Sequence, residues 1–375
     1  MDTAILRSRI LDLAITGELT HSNTDEWEDV RIGDICKTTS GGTPQSKNQL
    51  YYQGGDIPWV QSGELHQKYI TDTAKKITQA GYDNSSAKYY PINSVLIALY
   101  GATVGEVAIS KISLTSNQAI CAIFPSEKVY EEYLYYFLKT KKSEYIGLAS
   151  GGAQPNISQE KVKATSLPLP PLSEQHRIVA KVEELLSEVD KIEQAQADIT
   201  QAATILRSRV LDSALKGELT HSNTEEWTWD SITNVTDPIS SRDSQIKASK
   251  IQSTGKYAVV SQGQKLIDGY CDDEDKVITI SPVILFGDHT RNVKYIDFPF
   301  VVGADGTKLH KCKSIDPKFC YYWILWAADN MTNRGYERHY SLLKQTPLHL
   351  PPLPEQHRIV AKIERLFAEI DKLVK

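Results

Sequence analysis

Between residues 174 and 216, apolar side chains fall at 178, 182, 185, 189 and 192 and again at 199, 203, 206 and 210, with only Gln196 breaking the series. Alternating steps of four and three put them on one stripe of a helix, the seam of a coiled coil. Pro170 and Pro171 end whatever precedes it, Ser173 suits the N-cap, Glu174 suits the positive end of the dipole, and Gly217 suits the position after the last turn. The pattern predicts one helix of about 43 residues, roughly 65 Å long. A polar helix of that length with a single apolar stripe needs a partner. The chain supplies one at its ends, through Ile359, Ile363, Leu366, Ile370 and Leu373 and through Ile5, Leu6, Ile10 and Leu13. We expect an antiparallel two-helix coiled coil acting as a rigid spacer.

Elsewhere the period changes. Residues 95–110 (VLIALYGATVGEVAIS) and 117–125 (NQAICAIFP) read as strands, followed by a helix over 131–149 and a loop over 150–158. A second block gives strands in 256–263, 276–288 and 292–311 and a helix over 318–329. The strings YLYYFL and FCYYWIL occupy matching places near the ends of the two blocks. Both blocks therefore read as mixed α/β domains of one type, and the chain as α+β.

The chain repeats itself. Residues 5–28 recur at 205–228 with 18 of 24 positions identical, and residues 167–192 recur at 348–373 with 18 of 26 identical. The block between the repeats is 19 residues shorter the second time. Five regions follow: an N-terminal helical segment (1–29), a first domain (30–166), a central region with the long helix (167–229), a second domain (230–347) and a C-terminal helix (348–375) that pairs with the central one. The second repeat runs directly into the first at mid-chain, and if the chain ends meet, the molecule closes as a pseudo-two-fold ring. The arms repeat almost unchanged while the blocks diverge. Glu174, Gln175, His176 and Arg177 return as Glu355, Gln356, His357 and Arg358. Matching polar residues with no packing reason to match point to one partner bound twice.

Net charge is −5, yet the two blocks carry +3 and +1 and everything else −9. Slightly basic domains between acidic helices are compatible with nucleic acid. The five scattered cysteines fit reduced thiols in a cytoplasmic protein better than disulfides or zinc. No apolar run is long enough for a membrane span, and no signal peptide is evident.

The repeated arrangement resembles the specificity subunits of type I restriction-modification systems over essentially the whole chain. LPLPPLSEQHRIVAKVEELLSEVDK and its C-terminal copy look like that family's conserved regions, as does ILRSRILDLAITGEL. SGGTPQSKNQLYYQGGDIPWVQSGEL, ALYGATVGEVAIS, SNQAICAIFP and GGAQPNIS look like parts of its target-recognition domain, whereas the second block lacks the GGTP and GGDIPWV strings. The resemblance implies two target-recognition domains that each read half of a split double-stranded DNA site, with helices fixing the gap. It implies two copies of a DNA adenine methyltransferase subunit on the arms, and a translocating restriction endonuclease subunit that can join them. S-adenosylmethionine, ATP and Mg2+ would sit on those partners, with no cofactor, metal or catalytic residue on this chain.

In such a reader, phosphate contacts position and base-edge contacts specify. Basic and amide side chains in polar loops are the candidates. In the first block these are Thr43, Lys47, Lys68, Lys75, Lys76, Tyr100, Thr103, Asn117, Gln118, Gln154 and Asn156. In the second they are Arg242, Lys247, Lys250, Gln262, Gln264, His289, Arg291, Asn292, Lys308, Arg334, Arg338, His339 and Tyr340. Glu174, Gln175, His176, Arg177 and their four copies are the candidates for partner contact. Catalytic readings find little support: there is no phosphate loop, no amino-methyltransferase tetrapeptide and no H-x-x-x-H pair. Glu274-Asp275-Lys276 near Asp268 only faintly resembles a nuclease site. A coiled-coil scaffold joining two protein-binding domains is the other class to test, and it predicts no salt-dependent DNA binding.

Overall fold

The computed structural model describes residues 2–149, 156–303, 306–333, 335 and 337–374. The chain forms two compact units, Met1–Gln194 and Ala195–Lys375.

The first unit opens with an N-terminal helix, Thr3–Ile15, whose first amides are capped by the Asp2 carboxylate. Gly17 ends it at φ +77°, where an added Cβ would meet the Thr24 methyl at 2.8 Å and the Trp27 ring at 3.1 Å. Glycine is needed there on both counts. Ten strands follow: β1 (Glu28–Arg31), β2 (Lys37–Ser40), β3 (Ile57–Val60), β4 (Tyr69–Ile70), β5 (Lys76–Ile77), β6 (Val95–Ala98), β7 (Val107–Ser110), β8 (Thr115–Ser116), β9 (Ile120–Phe124) and β10 (Ser166–Leu169). They make a five-stranded sheet in the order β2-β9-β6-β7-β4, a three-stranded sheet β5-β3-β8, and an antiparallel pair β1-β10 that closes the domain at its base.

Strands β6, β7 and β9 are runs of β-branched and small apolar residues because both faces are covered. Val95, Ile97, Val107, Ile109, Cys121 and Ile123 pack under the aromatic helix Glu131–Thr140, in one core with Ala14 and with Ile178, Val179 and Val182 of the central helix. Leu96, Ala98, Ala108, Ile120 and Ala122 face a second core with Val60, Leu65, Ile70 and Tyr90. The run 95–110 is two strands rather than one, broken by a tight turn in which Gly101 and Gly105 hold φ +70° and +78°. The helix expected over 131–149 is likewise two, Glu131–Thr140 and Lys142–Ala149.

The described residues of the second unit carry nine strands: β11 (Thr228–Asp230), β12 (Thr236–Ile239), β13 (Tyr257–Val260), β14 (Gly269–Cys271), β15 (Val283–Gly287), β16 (Val293–Ile296), β17 (Phe300–Val302), β18 (Thr307–Cys312) and β19 (Leu348–Leu350). Its sheets, β12-β18-β15-β16, β14-β13-β17 and β11-β19, match the first unit strand for strand except that β4 has no counterpart among the described residues. The parallel pairing of β13 with β17 repeats that of β3 with β8. The aromatic helix Pro317–Asn330, begun by a proline and capped by Asp316, lies where Glu131–Thr140 lies in the first domain. So the two blocks share a fold even though the second lacks the glycine-rich strings of the first.

The central helix runs over Leu172–Leu215, 44 residues, within two residues of the boundaries expected at each end. Each terminal helix packs antiparallel on the part of it that belongs to its own unit. Arg7 donates to Asp190 and Glu193 in the first unit, and Arg207 to Asp371 in the second. The apolar seam is buried at Ile178, Val182 and Val189 and again at Ala203, but residues 190–202 are exposed, Ile192 and Ile199 among them, as is Leu206. The expected continuous seam is therefore interrupted. The terminal helices, 13 and 22 residues long, are too short to line all of the central one.

Candidate nucleic-acid interface

In the first domain, the loop between β2 and β3 and the turn before β5 enclose an open cleft of about 820 Å³. Its walls are Thr43, Ser46, Gln49, Tyr52, Gln53, Trp59, Gln61, Ala74, Lys75 and Lys76. The loop is held by its aromatics: Trp59 Nε1 donates to Gly42 O at 3.0 Å and the Tyr52 hydroxyl to Pro44 O at 2.6 Å. Gly42 is obligatory here, because a Cβ would lie 2.4 Å from the Ser86–Ala87 backbone. Lys75 is exposed with no carboxylate within 4 Å among the described residues, and Lys76 is 3.6 Å from Asp72. Amides and two cations with no acid in the walls suit phosphates and base edges.

Nearby, Thr43 donates to the Gln118 side chain, Thr103 to Tyr100 O at 3.1 Å, and Tyr100 bridges to Asn156. Asn117 is half-buried, and its Oδ1 is buried with no partner among the described residues. Lys47 is exposed, next to Ser46 of the cleft.

The second domain has a cleft of about 590 Å³ where β12 ends beside the start of β18, lined by Ser240, Ser241, Arg242, Gln245, Asp288, His289, Thr307, Lys308, Arg338 and Tyr340 among others. Three cations face one carboxylate. Asp288 is 3% exposed, accepts from the Tyr340 amide at 2.8 Å, and lies 3.7 Å from Lys308. Burial, then the Asp288 charge, pushes the Tyr340 hydroxyl up. Thr307 Oγ1 is buried and unpartnered among the described residues. Five of the residues picked from sequence therefore converge: Arg242, His289, Lys308, Arg338 and Tyr340.

Other expectations are corrected. Lys68 is no free phosphate ligand: its ammonium lies 2.7 Å from Glu132, 2.6 Å from Glu183 and 3.1 Å from the Tyr136 hydroxyl. Burial lowers its pKa, but the two glutamates outweigh this and hold it above the usual lysine value. His339 is fully buried, with Nδ1 3.1 Å from Asp288 O, so it holds the cleft wall from behind. Arg291 turns inward to Ala328 O and Met331 O at 3.2 and 3.4 Å, and Asn292 donates to Gln262 O at 2.8 Å. Gln262 Oε1 accepts the His289 amide at 3.2 Å, supporting the cleft from its rim. Gln264 belongs to a different slot, beside Tyr295 and Lys318. Lys247 and Lys250 are exposed on the turn Ala248–Lys250. Gln154 and Arg334 lie outside the described residues. Sequence reasoning missed Gln49, Gln53, Gln61, Ser240, Ser241 and Gln245; the glutamines at 45, 49 and 53, four residues apart, were the available signal in the first domain.

The repeated arms fold into the same clasp twice. Ser22 donates to Glu174, and Arg177 bonds Glu174 at 2.6 Å and Thr20 O at 3.2 Å. Ser222, Glu355, Arg358 and Thr220 repeat every one of these contacts. Gln175 is fully buried, accepting from Tyr130 N and donating to Lys128 O and Pro170 O; Gln356, 2% exposed, does the same with Asp316 N and Pro351 O. The polar identities therefore have an internal reason. Glu174, Gln175, Glu355 and Gln356 hold the arm to its domain, and Gln175 and Gln356 are shut away from any partner. His176 and Arg177, and likewise His357 and Arg358, remain exposed, the histidines against Tyr130 and Asp316 and the arginines on the carbonyls that precede His21 and His221.

No group of three or more His, Cys, Asp or Glu that could hold a metal ion occurs among the described residues, and no described helix is long and apolar enough to cross a membrane. Lys276 donates to Gln245 O, Glu274 pairs with Lys256, and Asp268 accepts from Ser261, so the faint nuclease-like set is divided among separate contacts.

A family model of the type I restriction modification DNA specificity domain matches residues 24–201 and 225–375. The chain is 36% identical over 158 residues to the MjaIX specificity subunit of Methanocaldococcus jannaschii, covering 41% of this chain and 36% of that one. It is 30% identical over 173 residues to the EcoR124I/EcoR124II specificity subunit of Escherichia coli, covering 44% and 41%. In these alignments the chain thus spans well under half the length of either relative. Against the EcoBI specificity subunit of Escherichia coli the identity is 24% over 402 residues, 94% of this chain and 81% of that one. Two solved structures share the fold at 20% identity. One is a chain from a study of assembly and conformational transition of the type I R-M system (TM-score 0.69, 93% and 92% covered), and the other is the HsdS subunit of Thermoanaerobacter tengcongensis (TM-score 0.52, 93% and 90% covered).

Proposed function

The chain belongs to the type I restriction-modification DNA specificity family, and from that premise we propose that it is the non-catalytic subunit that brings an adenine methyltransferase to a bipartite DNA sequence. One observation carries the reading: two domains of the same topology present cationic, amide- and hydroxyl-rich clefts whose linings share almost no residues. Equal scaffolds with unequal linings suit two half-sites of different sequence. Lysines and arginines at the cleft walls take phosphates, and glutamine, serine and threonine groups reach base edges. The central helix sets the gap between the halves.

The exposed remainder of the twin clasps, His176 and Arg177 with His21 and then His357 and Arg358 with His221, offers the same patch twice to two copies of the methyltransferase subunit. A translocating restriction subunit joins the same complex. S-adenosylmethionine, ATP and Mg2+ belong to those partners. Five free cysteines, four of them buried, suit the reducing cytoplasm.

Base-resolution mapping of adenine methylation tests this, in cells carrying the chain with its neighbouring methyltransferase and in cells lacking only the chain. A split, asymmetric motif that disappears on deletion supports the reading. Methylation unchanged by deletion, with the methyltransferase active, overturns it in favour of a protein scaffold.

A further inference from the structure

The two domains differ at one edge. In the first, β4 lies parallel to β7 on the outer edge of the large sheet, with the Ile109 and Lys111 amides donating to Lys68 O and Ile70 O, both at 2.8 Å. Lys68 enters a slot between sheet, aromatic helix and central helix, over the rings of Tyr69 and Tyr136 at 4.9 and 4.8 Å, and is neutralised by Glu132 and Glu183. The connection that carries β4, Gln61–Lys75, has 15 residues, whereas its counterpart Ser261–Asp268 has 8, too few to place a strand at that edge.

The edge of β16 is consequently open. Tyr295 and Asp297 stand where Ile109 and Lys111 stand, and neither amide donates across that edge among the described residues. Beside them the slot persists as a cavity of about 410 Å³, lined by Gln264, Leu266, Lys294, Tyr295, Lys318, Tyr321, Tyr322 and Glu364. Its charge is inverted. Lys318 takes the place of Glu132 and pairs with Glu364, the repeat of Glu183. Lys294 is 5% exposed, donates to the Lys265 carbonyl, and has no carboxylate within 4 Å among the described residues. Asp268 attracts it only from beyond pairing distance, and a buried ammonium with no carboxylate paired to it is costly.

We propose that the open edge of β16 and the slot beside it are a docking site for an extended segment of a partner protein, laid parallel to β16 and carrying an acidic side chain in toward Lys294 and Lys318. Such strand addition draws affinity from main-chain hydrogen bonds and specificity from the pocket filled by alternate side chains. The first domain shows the geometry with an occupant of its own and the opposite charge. An unpaired edge is also a hazard that folded proteins cover or blunt, and Leu266, 46% exposed at the mouth of the slot, adds apolar surface for an occupant to bury.

The full chain, titrated with two peptides copied from His66–Asp72, tests this. One peptide keeps the native lysine and the other carries K68E, while backbone amide exchange is followed at Tyr295 and Asp297. The K68E peptide is expected to slow exchange at both amides by about tenfold or more at saturation, and the lysine peptide far less. Ile109 and Lys111, already bonded to β4, serve as unaffected controls. In a K318E chain the preference passes to the lysine peptide, and in a K294M chain protection by the acidic peptide is lost. Absence of protection by either peptide at millimolar concentration overturns the proposal, as does equal protection by both or protection indifferent to K318E and K294M.

Discussion

Gln175 shows how much one side chain holds. Its amide satisfies three backbone groups at the junction of arm and domain while excluded from water. Removing a buried partner leaves the desolvation of each orphaned group uncompensated, about 1–3 kcal/mol apiece. Gln175→Leu, and Gln356→Leu in the repeat, should each cost at least about 2 kcal/mol in urea unfolding, whereas Arg177→Ala, mostly in solvent, should change stability little. Equal effects would mean that the clasp is not organised around the glutamine. His310 supplies a pH signature. Burial holds its imidazole down at about 4, with Nδ1 3.0 Å from the Thr236 hydroxyl. The unfolded chain takes up this proton near pH 6.5 and the folded one only near 4, so the group's contribution is complete above 6.5 and is lost as pH falls through that window. The loss amounts to about 3 kcal/mol. Stability of the native chain should fall between pH 6.5 and 4 more steeply than that of His310→Gln, and parallel curves would remove His310 as the cause. Neither role was legible in the sequence. EQHR announced itself by repeating, but whether a repeated polar residue faces a partner or its own backbone depends on which loop folds over it, and that loop is 45 residues away at Tyr130.

At the scale of elements, periodicity carried the most. The central helix, its ends and its pairing with the terminal helices were readable because step size and capping residues are local properties. Short strands were less so: the buried run 95–110 gives no internal contrast to mark the turn at Gly101, and the loss of β4 is visible only as a shorter connection. Residues 190–202 make the longest stretch of the helix in contact with solvent on every side. Deleting seven residues within it preserves the heptad phase and shortens the helix by about 10 Å, about three base pairs of duplex at 3.4 Å each. Methylation mapping of that variant should return the same letters in both half-sites with a gap reduced by about three base pairs. An unchanged gap would show that the helix does not measure the site.

For the whole molecule, the paired repeats and the likeness of the two domains were apparent before any fold, while the cleft walls were not: sequence picked Arg242, His289, Lys308, Arg338 and Tyr340 of the second cleft, and only Thr43, Lys75 and Lys76 of the first. If each cleft reads one half-site, exchanging residues 30–166 for the corresponding block of another such chain should change one half of the methylated motif and leave the other intact. Change in both halves would mean that the domains do not read independently. The glutamate shared by the arms bears on that exchange. Glu183 and Glu364 are the same residue of one repeat, yet the first domain answers with Lys68 from a strand and the second with Lys318 from a helix. Each block thus brings its own cation to a standard fitting. Lineages that trade recognition blocks need not re-tailor the arms to receive them, and new specificities can be inherited whole, without passing through ill-fitting intermediates.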